Sequence, residues 1–432
     1  MEYILLFMLV SLELGFFIWS VVTKESHKFE KSVANISFAG LYVIGLVTGL
    51  IMWGFRYFVI TIVILVKVIL SIVTIVKNKK FEFKLFRSIR KFMLNVLVIV
   101  FSLISAFAFP QYDMISVTGT YKVETAKYTW IDETRMESYQ NNEINRALTV
   151  EFWFPSELSN EYPLVVFSHG AFGYNGSNYS TFMELASNGY VVASIGHTYQ
   201  AFFTEDTSGN LTIVDQGFLQ QAIDINAKTD TRNDKEVFEI TQSWMDLRVA
   251  DENFVIDKII ELTNLNESDK LFDAIDTSRI GAFGHSLGGA SSAQIGRLRE
   301  DIDAVIVLDG TMLGEEIDFQ NNSVILNTIP YPVPLFNIYA EDHYTNAMTY
   351  VGTGYNNFYA SKNAFTAYET VIKGAGHLNF TDLPLFSPFL ASALGVGSID
   401  GRACIEKTNE LVLMFFDYYL KDLGELTIQK EY

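Results

Sequence analysis

Four long apolar runs fill the first 109 residues, and they constrain the fold more than anything else in the chain. They are Tyr3–Val22, Val33–Phe55, Tyr57–Val76 and Phe92–Phe109. Each has about 18–23 residues, the length that crosses ~30 Å of hydrocarbon. Trp53, Phe55, Tyr57 and Phe58 cluster where the second and third runs meet at Arg56, as aromatic residues do at a membrane–water interface. The first run carries Glu2 where a secretory signal would be basic, and it is too long for one. The sequence therefore predicts four transmembrane helices over residues 1–110 and a second domain over 111–432.

Charge divides at the same place. Met1–Phe109 holds 12 Lys+Arg and 5 Asp+Glu, whereas the rest of the chain holds 19 and 45. So acidic a second domain excludes nucleic acid as a natural partner, since phosphate binding needs positive surface. The single cysteine, Cys404, excludes a disulfide framework and a Cys-rich metal site. Basic residues concentrate in two loops: Lys24, Lys28 and Lys31 in one, and Lys77, Lys79, Lys80, Lys84, Arg87, Arg90 and Lys91 in the other. Four spans put both loops on one side, which the positive-inside rule makes cytoplasmic. Three spans would set them on opposite sides. The expected location is a multi-pass cell membrane protein with its second domain outside. Glu13 and Lys67 fall mid-span, and an ion pair between them is one way to bury both.

Beyond residue 110, strand-like and helix-like segments alternate. Arg146–Pro155, Tyr162–Ser168, Tyr190–Ile195, Arg279–Phe283, Ala304–Leu308, Pro334–Tyr339 and Ala367–Ile372 read as strands. Tyr179–Asn188, Lys235–Leu262, Leu287–Arg299 and Glu406–Leu420 read as helices. This alternation implies an α/β fold with a mostly parallel sheet covered on both faces. Function in such sheets sits in loops at the carboxyl ends of the strands.

Gly284-His285-Ser286-Leu287-Gly288 fits G-x-S-x-G between a strand and a helix, a turn that presents a serine on a strained bend. A serine needs a base to take its proton. Of six histidines, His377 follows the last strand in a Gly-rich loop, C-terminal to both candidate acids, in the chain order Ser…Asp…His. Asp309 and Asp342 each end a strand, and either could orient the imidazole. The backbone N–H groups of Leu287 and Ala171 are the candidate oxyanion donors. Nothing in this chemistry calls for a cofactor or a metal.

The segments LVVFSHGAFG, ELASNGYVVASIGH, GAFGHSLGGA, AVIVLDG, VPLFNIYAED and GAGHLNFTD occur in that order. Together they resemble the plasma-type platelet-activating-factor acetylhydrolase family of the α/β-hydrolase superfamily, over most of Leu148–Leu383. The four apolar runs have no counterpart in it. The resemblance implies Ser286 as nucleophile, His377 as base, Asp309 rather than Asp342 as acid, and Ala171 and Leu287 as oxyanion donors. It also implies hydrolysis of short acyl esters, including sn-2 acyl groups of modified phospholipids. An acyltransferase would use the same acyl-enzyme, and an inert membrane sensor would have no use for an intact triad. Two departures bear on the acyl pocket: Ala171 is smaller than the family's residue there, and Leu313–Pro332 is an added segment suited to a lid.

Overall fold

The structure is a computed structural model that describes residues 1–77, 82–140, 143–228, 234–265, 269–350 and 354–432. Lys79 and Lys80 of the second basic loop lie outside the described residues. The chain forms two compact units, Met1–Asp113 with Leu385–Ala393, and Met114–Pro384 with Leu394–Tyr432.

The first unit is built on α1 (Glu2–Thr23), α2 (Lys28–Val47), α3 (Phe55–Lys77) and α4 (Leu85–Ser102). Past Leu103, the helical path of α4 resumes over Ile104–Ala108. Helices α1 and α3 and the stretch Leu85–Ala108 are long and apolar enough to cross a membrane. Helix α2 is not, which corrects the expectation of four spans. Its helix starts at Lys28, so Lys28, Glu30 and Lys31 occupy its first turn, and it stops at Val47. Gly49 there takes φ +75°, a left-handed geometry that glycine adopts without penalty. The apolar part from Val33 onward therefore rises only ~22 Å, short of the ~30 Å required.

One polar side chain from each of the four helices meets at the centre of this unit. Glu13, 1% exposed, accepts from Lys31 Nζ at 2.5 Å, Lys67 Nζ at 2.6 Å and Asn95 Nδ2 at 2.9 Å. The Glu13–Lys67 pair forms as the sequence suggested, and Lys31 and Asn95 join it.

The second unit is organised by an eight-stranded sheet. Its strands are β1 (Val123–Met136), β2 (Asn145–Pro155), β3 (Tyr162–Ser168), β4 (Val191–Gly196), β5 (Ile275–His285), β6 (Ala304–Leu308), β7 (Leu335–Ala340) and β8 (Ala367–Ile372). Their order is β1-β2-β4-β3-β5-β6-β7-β8. Only the β1–β2 and β2–β4 pairs are antiparallel. Parallel neighbours need crossovers: the connections between strands contain α5 (Tyr179–Ser187), α6 (Gln216–Asn226), α7 (Lys235–Asn264) and α8 (Leu287–Leu298), and α9 (Gly401–Lys421) follows the last strand.

Alternation along the central strands divides the core in two. Leu164 and Val166 of β3 and Val305 and Val307 of β6 face Val255, Ile256 and Ile259 of α7 and Ala293 and Ile295 of α8. Val165, Phe167, Ile306 and Leu308 face Phe182 of α5 and Leu411, Phe415 and Phe416 of α9. Each such fully buried side chain contributes ~1.5–3 kcal/mol, so both faces anchor the strand ends firmly. The register sets those ends level: Ser168 pairs with Gly284, His285 with Leu308, and Leu308 with Ile338. Strand β1 escaped the sequence reading because it is an edge strand with mostly exposed or half-exposed side chains, which blurs its alternation. The segment after Asp309 contains a two-stranded hairpin, Glu316–Gln320 with Ser323–Leu326.

Candidate active site

The carboxyl end of β5 turns into α8 at a strained serine. Ser286 has φ +57° and ψ −125°, a conformation foreign to L-residues with a side chain, held by its own N–H donating to Leu308 O at 2.9 Å. The bend is possible only because Gly284 and Gly288, two residues to either side, lack side chains. A Cβ on Gly284 would lie 2.3 Å from the Gly288 carbonyl carbon, and one on Gly288 would lie 2.0 Å from Ser168 O. Leu287, Gly288 and Gly289 open helix α8, so their N–H groups have no intrahelical acceptor and point positive charge past the serine.

Three loops from three strands meet at Ser286. His377, in the short helical turn His377–Phe380 after β8, places Nε2 3.0 Å from Ser286 Oγ. Its Nδ1 lies 2.6 Å from Asp309 Oδ2, just past β6. The carboxylate can only accept at Nδ1, so that nitrogen carries the proton and Nε2 is free to take the proton of Ser286. The imidazole is 40% exposed, whereas the Asp309 carboxylate is fully covered.

Asp309 is over-provided with donors. Besides His377, it receives the Ala340 N–H at 2.7 Å and His343 Nδ1 at 3.1 Å. Burial opposes its charge, but the hydrogen bonds from His343 and His377 outweigh that and hold the carboxyl well below the usual range. His343 gains in return: burial works against its protonation, and the Asp309 carboxylate still holds it above its usual range. Asp309, His343 and His377 also have the spacing of metal ligands, but both Asp309 oxygens are already occupied by N–H donors.

Asp342, the other candidate acid, sits at the start of the short helix Glu341–Ala347 and accepts from the His343 N–H at 2.7 Å. Its neighbour His343, which the sequence reading left without a role, is the residue of this loop that reaches Asp309. His285 was also missed. It is buried, its Nε2 lies 3.0 Å from the His377 carbonyl, and its ring lies 4.6 Å from that of His377. Burial pushes the His285 imidazole down to about 3, so it is a neutral prop for the His377 backbone.

The loop after β3 closes the site. Gly170 packs so near the serine that a Cβ there would lie 3.2 Å from Ser286 Cβ. Ala171 follows it, half-buried, and Leu287 is buried on the other side of the serine. Beneath the loop lies a buried charged layer that the sequence reading did not foresee. Arg146 of β2 clasps Asp251 of α7 through Nε and Nη2, each at 2.6 Å, and Asp251 also meets His197 Nδ1 at 3.0 Å. A signal for it exists in the sequence. Val237, Thr241, Trp244, Met245, Val255, Ile256 and Ile259 form the buried stripe of α7, and Arg248, Asp251 and Glu252 occupy the same stripe.

Sheet order, crossover helices and the serine bend define an α/β-hydrolase fold. Over residues 126–427 the chain matches the model of the family described as platelet-activating factor acetylhydrolase, isoform II, and it belongs to that family. The platelet-activating factor acetylhydrolase of Canis lupus familiaris is 25% identical over 282 residues, covering 62% of this chain and 59% of the relative. That of Cavia porcellus is 25% identical over 280 residues, with the same coverages. The chain thus spans less than two thirds of the length of these relatives. A ferulic acid esterase from Streptomyces cinnamoneus shares the fold, with a TM-score of 0.54 at 19% identity, over 72% of this chain and 94% of that one. The apolar helices of the first unit precede the matched residues.

Proposed function

We propose that the chain is a membrane-anchored serine carboxylester hydrolase. The observation that carries this reading is the hydrogen-bonded line from Ser286 through His377 to Asp309 at a strained serine. In this reading the Ser286 Oγ–H passes its proton to His377 Nε2 as Oγ bonds to the ester carbonyl carbon. The resulting oxyanion is held by the N–H groups of Ala171 and Leu287, each donor worth ~2.7–4 kcal/mol in the transition state. Asp309 fixes the tautomer and stabilises the imidazolium. Collapse breaks the bond to the alkoxide, which takes the proton from His377 Nε2 and leaves an acyl-enzyme. Water then gives a proton to His377, attacks the acyl carbon and releases the acid, and Ser286 recovers its proton.

Family membership supports short acyl groups, including those at the sn-2 position of phospholipids resembling platelet-activating factor. The apolar helices support a bilayer as the place of work; with three spans, the more basic of the two loops, Lys77 to Lys91, is the cytoplasmic one, which leaves the hydrolase unit on the extracytoplasmic side. Activity is tested with p-nitrophenyl esters of two to twelve carbons on detergent-solubilised protein, with fluorophosphonate labelling at Ser286. Rates highest for the shortest chains are expected, and failure of Ser286 to label would overturn the reading. Sidedness is tested in intact cells with an impermeant maleimide. A cysteine at the exposed hairpin residue Asn322 should react and one at the exposed Glu82, between α3 and α4, should not, while buried Cys404 stays silent. The reverse pattern would place the hydrolase inside.

A further inference from the structure

Behind the loop that carries Ala171 lies an arginine that spends its hydrogen bonds on neutral acceptors. Arg248 of α7 is fully buried. Its Nη1 donates to the His169 carbonyl at 2.5 Å and lies 3.5 Å from Ser168 Oγ, its Nη2 lies 3.5 Å from the Gly170 carbonyl, and its Nε donates to Gln200 Oε1 at 2.7 Å. Asp251, one turn on, is taken by Arg146 and Arg135. Burial pushes the Glu252 carboxyl up to about 8, which keeps it protonated at neutral pH. Burial also lowers Arg248 to about 10, still a cation at pH 7. Among the described residues no carboxylate binds Arg248, and a buried cation so placed costs several kcal/mol, so that an apolar side chain of similar size would stabilise the fold better. Stability alone is a poor reason for it.

The peptide plane supplies a better one. In a trans peptide the C=O of one residue and the N–H of the next point in opposite directions. The Gly170 carbonyl accepts from His169 Nδ1 at 2.7 Å and from the Gly173 N–H at 3.0 Å, with Arg248 Nη2 behind it. His169 Nε2 accepts from the His197 N–H at 3.3 Å, which leaves the proton on Nδ1 and makes it a donor to Gly170. The Ala171 N–H lies on the same plane and so points away from Arg248. A cation at the carbonyl end of a peptide also strengthens the donor at its other end.

We propose that Arg248 is a positioning residue for the oxyanion hole: by holding the carbonyls of His169 and Gly170 it aims and polarises the Ala171 N–H. This rests on Ser286 being the nucleophile. The full chain in detergent is assayed with p-nitrophenyl acetate, active sites are counted by fluorophosphonate labelling, and an alkyl trifluoromethyl ketone is used as inhibitor. That ketone bonds to the serine oxygen and leaves an oxyanion where the reaction does. Arg248→Gln should lower kcat per labelled site by ~100-fold, the size of one lost oxyanion donor. KM should stay within about threefold, the ketone's Ki should rise by the same factor as kcat falls, and Arg248→Lys should recover part of both, in line with selective binding of the transition state. A purely structural role would reduce the labelled fraction and leave kcat per labelled site untouched. That result, or a fall in rate without a matching rise in Ki, overturns the inference. Should Arg248→Gln fail to fold, Arg248→Lys decides by the same two readouts, with a loss of about tenfold expected from its single point of donation. A parent protein that does not label at Ser286 overturns the underlying reading instead.

Discussion

Both units bury charge, and they use it differently. In the helical unit, Glu13, Lys31, Lys67 and Asn95 come one from each helix, while outward side chains such as Phe7, Val47 and Phe101 are apolar. In the bilayer placement proposed above, the hydrophobic effect offers no preference for one helix pairing over another, so polar contacts and close packing would select the arrangement. In the α/β unit the two apolar cores already select the fold. There the charges of Arg146, Arg248 and Asp251 gather on the site side of the sheet, beneath the loop next to Ser286. Buried charge specifies architecture in the first unit and local geometry in the second.

The largest effects should fall at the serine and leave the helical unit untouched. Ser286→Ala should reduce ester hydrolysis by on the order of 10⁶-fold, because triad members act as a unit. A folded variant that keeps a tenth of the parent rate would remove Ser286 from the mechanism. Asp309→Asn comes next, with a loss of ~10⁴-fold through the wrong His377 tautomer. Asp342→Asn should stay within ~3-fold, as substitution of an exposed side chain away from the reacting atoms allows. An inactive Asp342→Asn with an active Asp309→Asn would reverse the assignment of the acid.

Glu13→Ala tests the other half of the contrast. Removing one partner of a buried ionic group costs ~3–5 kcal/mol. A cysteine placed at the buried Ala106 should therefore become thiol-reactive at lower dodecyl sulfate concentration in Glu13→Ala, while ester hydrolysis stays within about threefold. Equal midpoints would mean that packing alone holds the four helices.

The smallest effect is a slope. Burial raises the Glu252 carboxyl from 4.5 to about 8 in the folded protein. Between those values the folded state holds more protons than the unfolded chain, so this group's contribution to stability declines as pH rises. Glu252→Gln, always neutral, should therefore gain in Tm relative to the parent from pH 5 to pH 9. Parallel Tm curves across that range would show that Glu252 is charged when folded.

Much of this was legible in the chain itself. Continuous apolar runs such as Tyr162–Ser168 marked buried parallel strands, and G-H-S-L-G at a strand–helix junction marked the serine. Gly374-Ala375-Gly376 marked the loop of His377. The second apolar run misled because composition counted Val33–Phe55 as continuous, whereas the turn at Gly49 ends the helix at Val47. Strand β1 was illegible because an edge strand with little burial keeps no clean period.

By itself, the sequence determined the α/β alternation and the apolar N-terminal helices, and it singled out Ser286 and His377 as candidates, since each depends on local pattern or on a motif with a built-in turn. Between Asp309 and Asp342 the residues alone could not choose; only the family likeness leaned to Asp309. The tertiary structure decided what depends on distance across the sheet. It set β6 beside β5 so that Asp309 reaches His377, turned His343 onto the same carboxylate, and brought Arg248 under Gly170 from 78 residues away. Hydrogen bonds act over about 3 Å, and which side chains come that close is settled by strand order and register, neither of which is written in any short stretch of the chain.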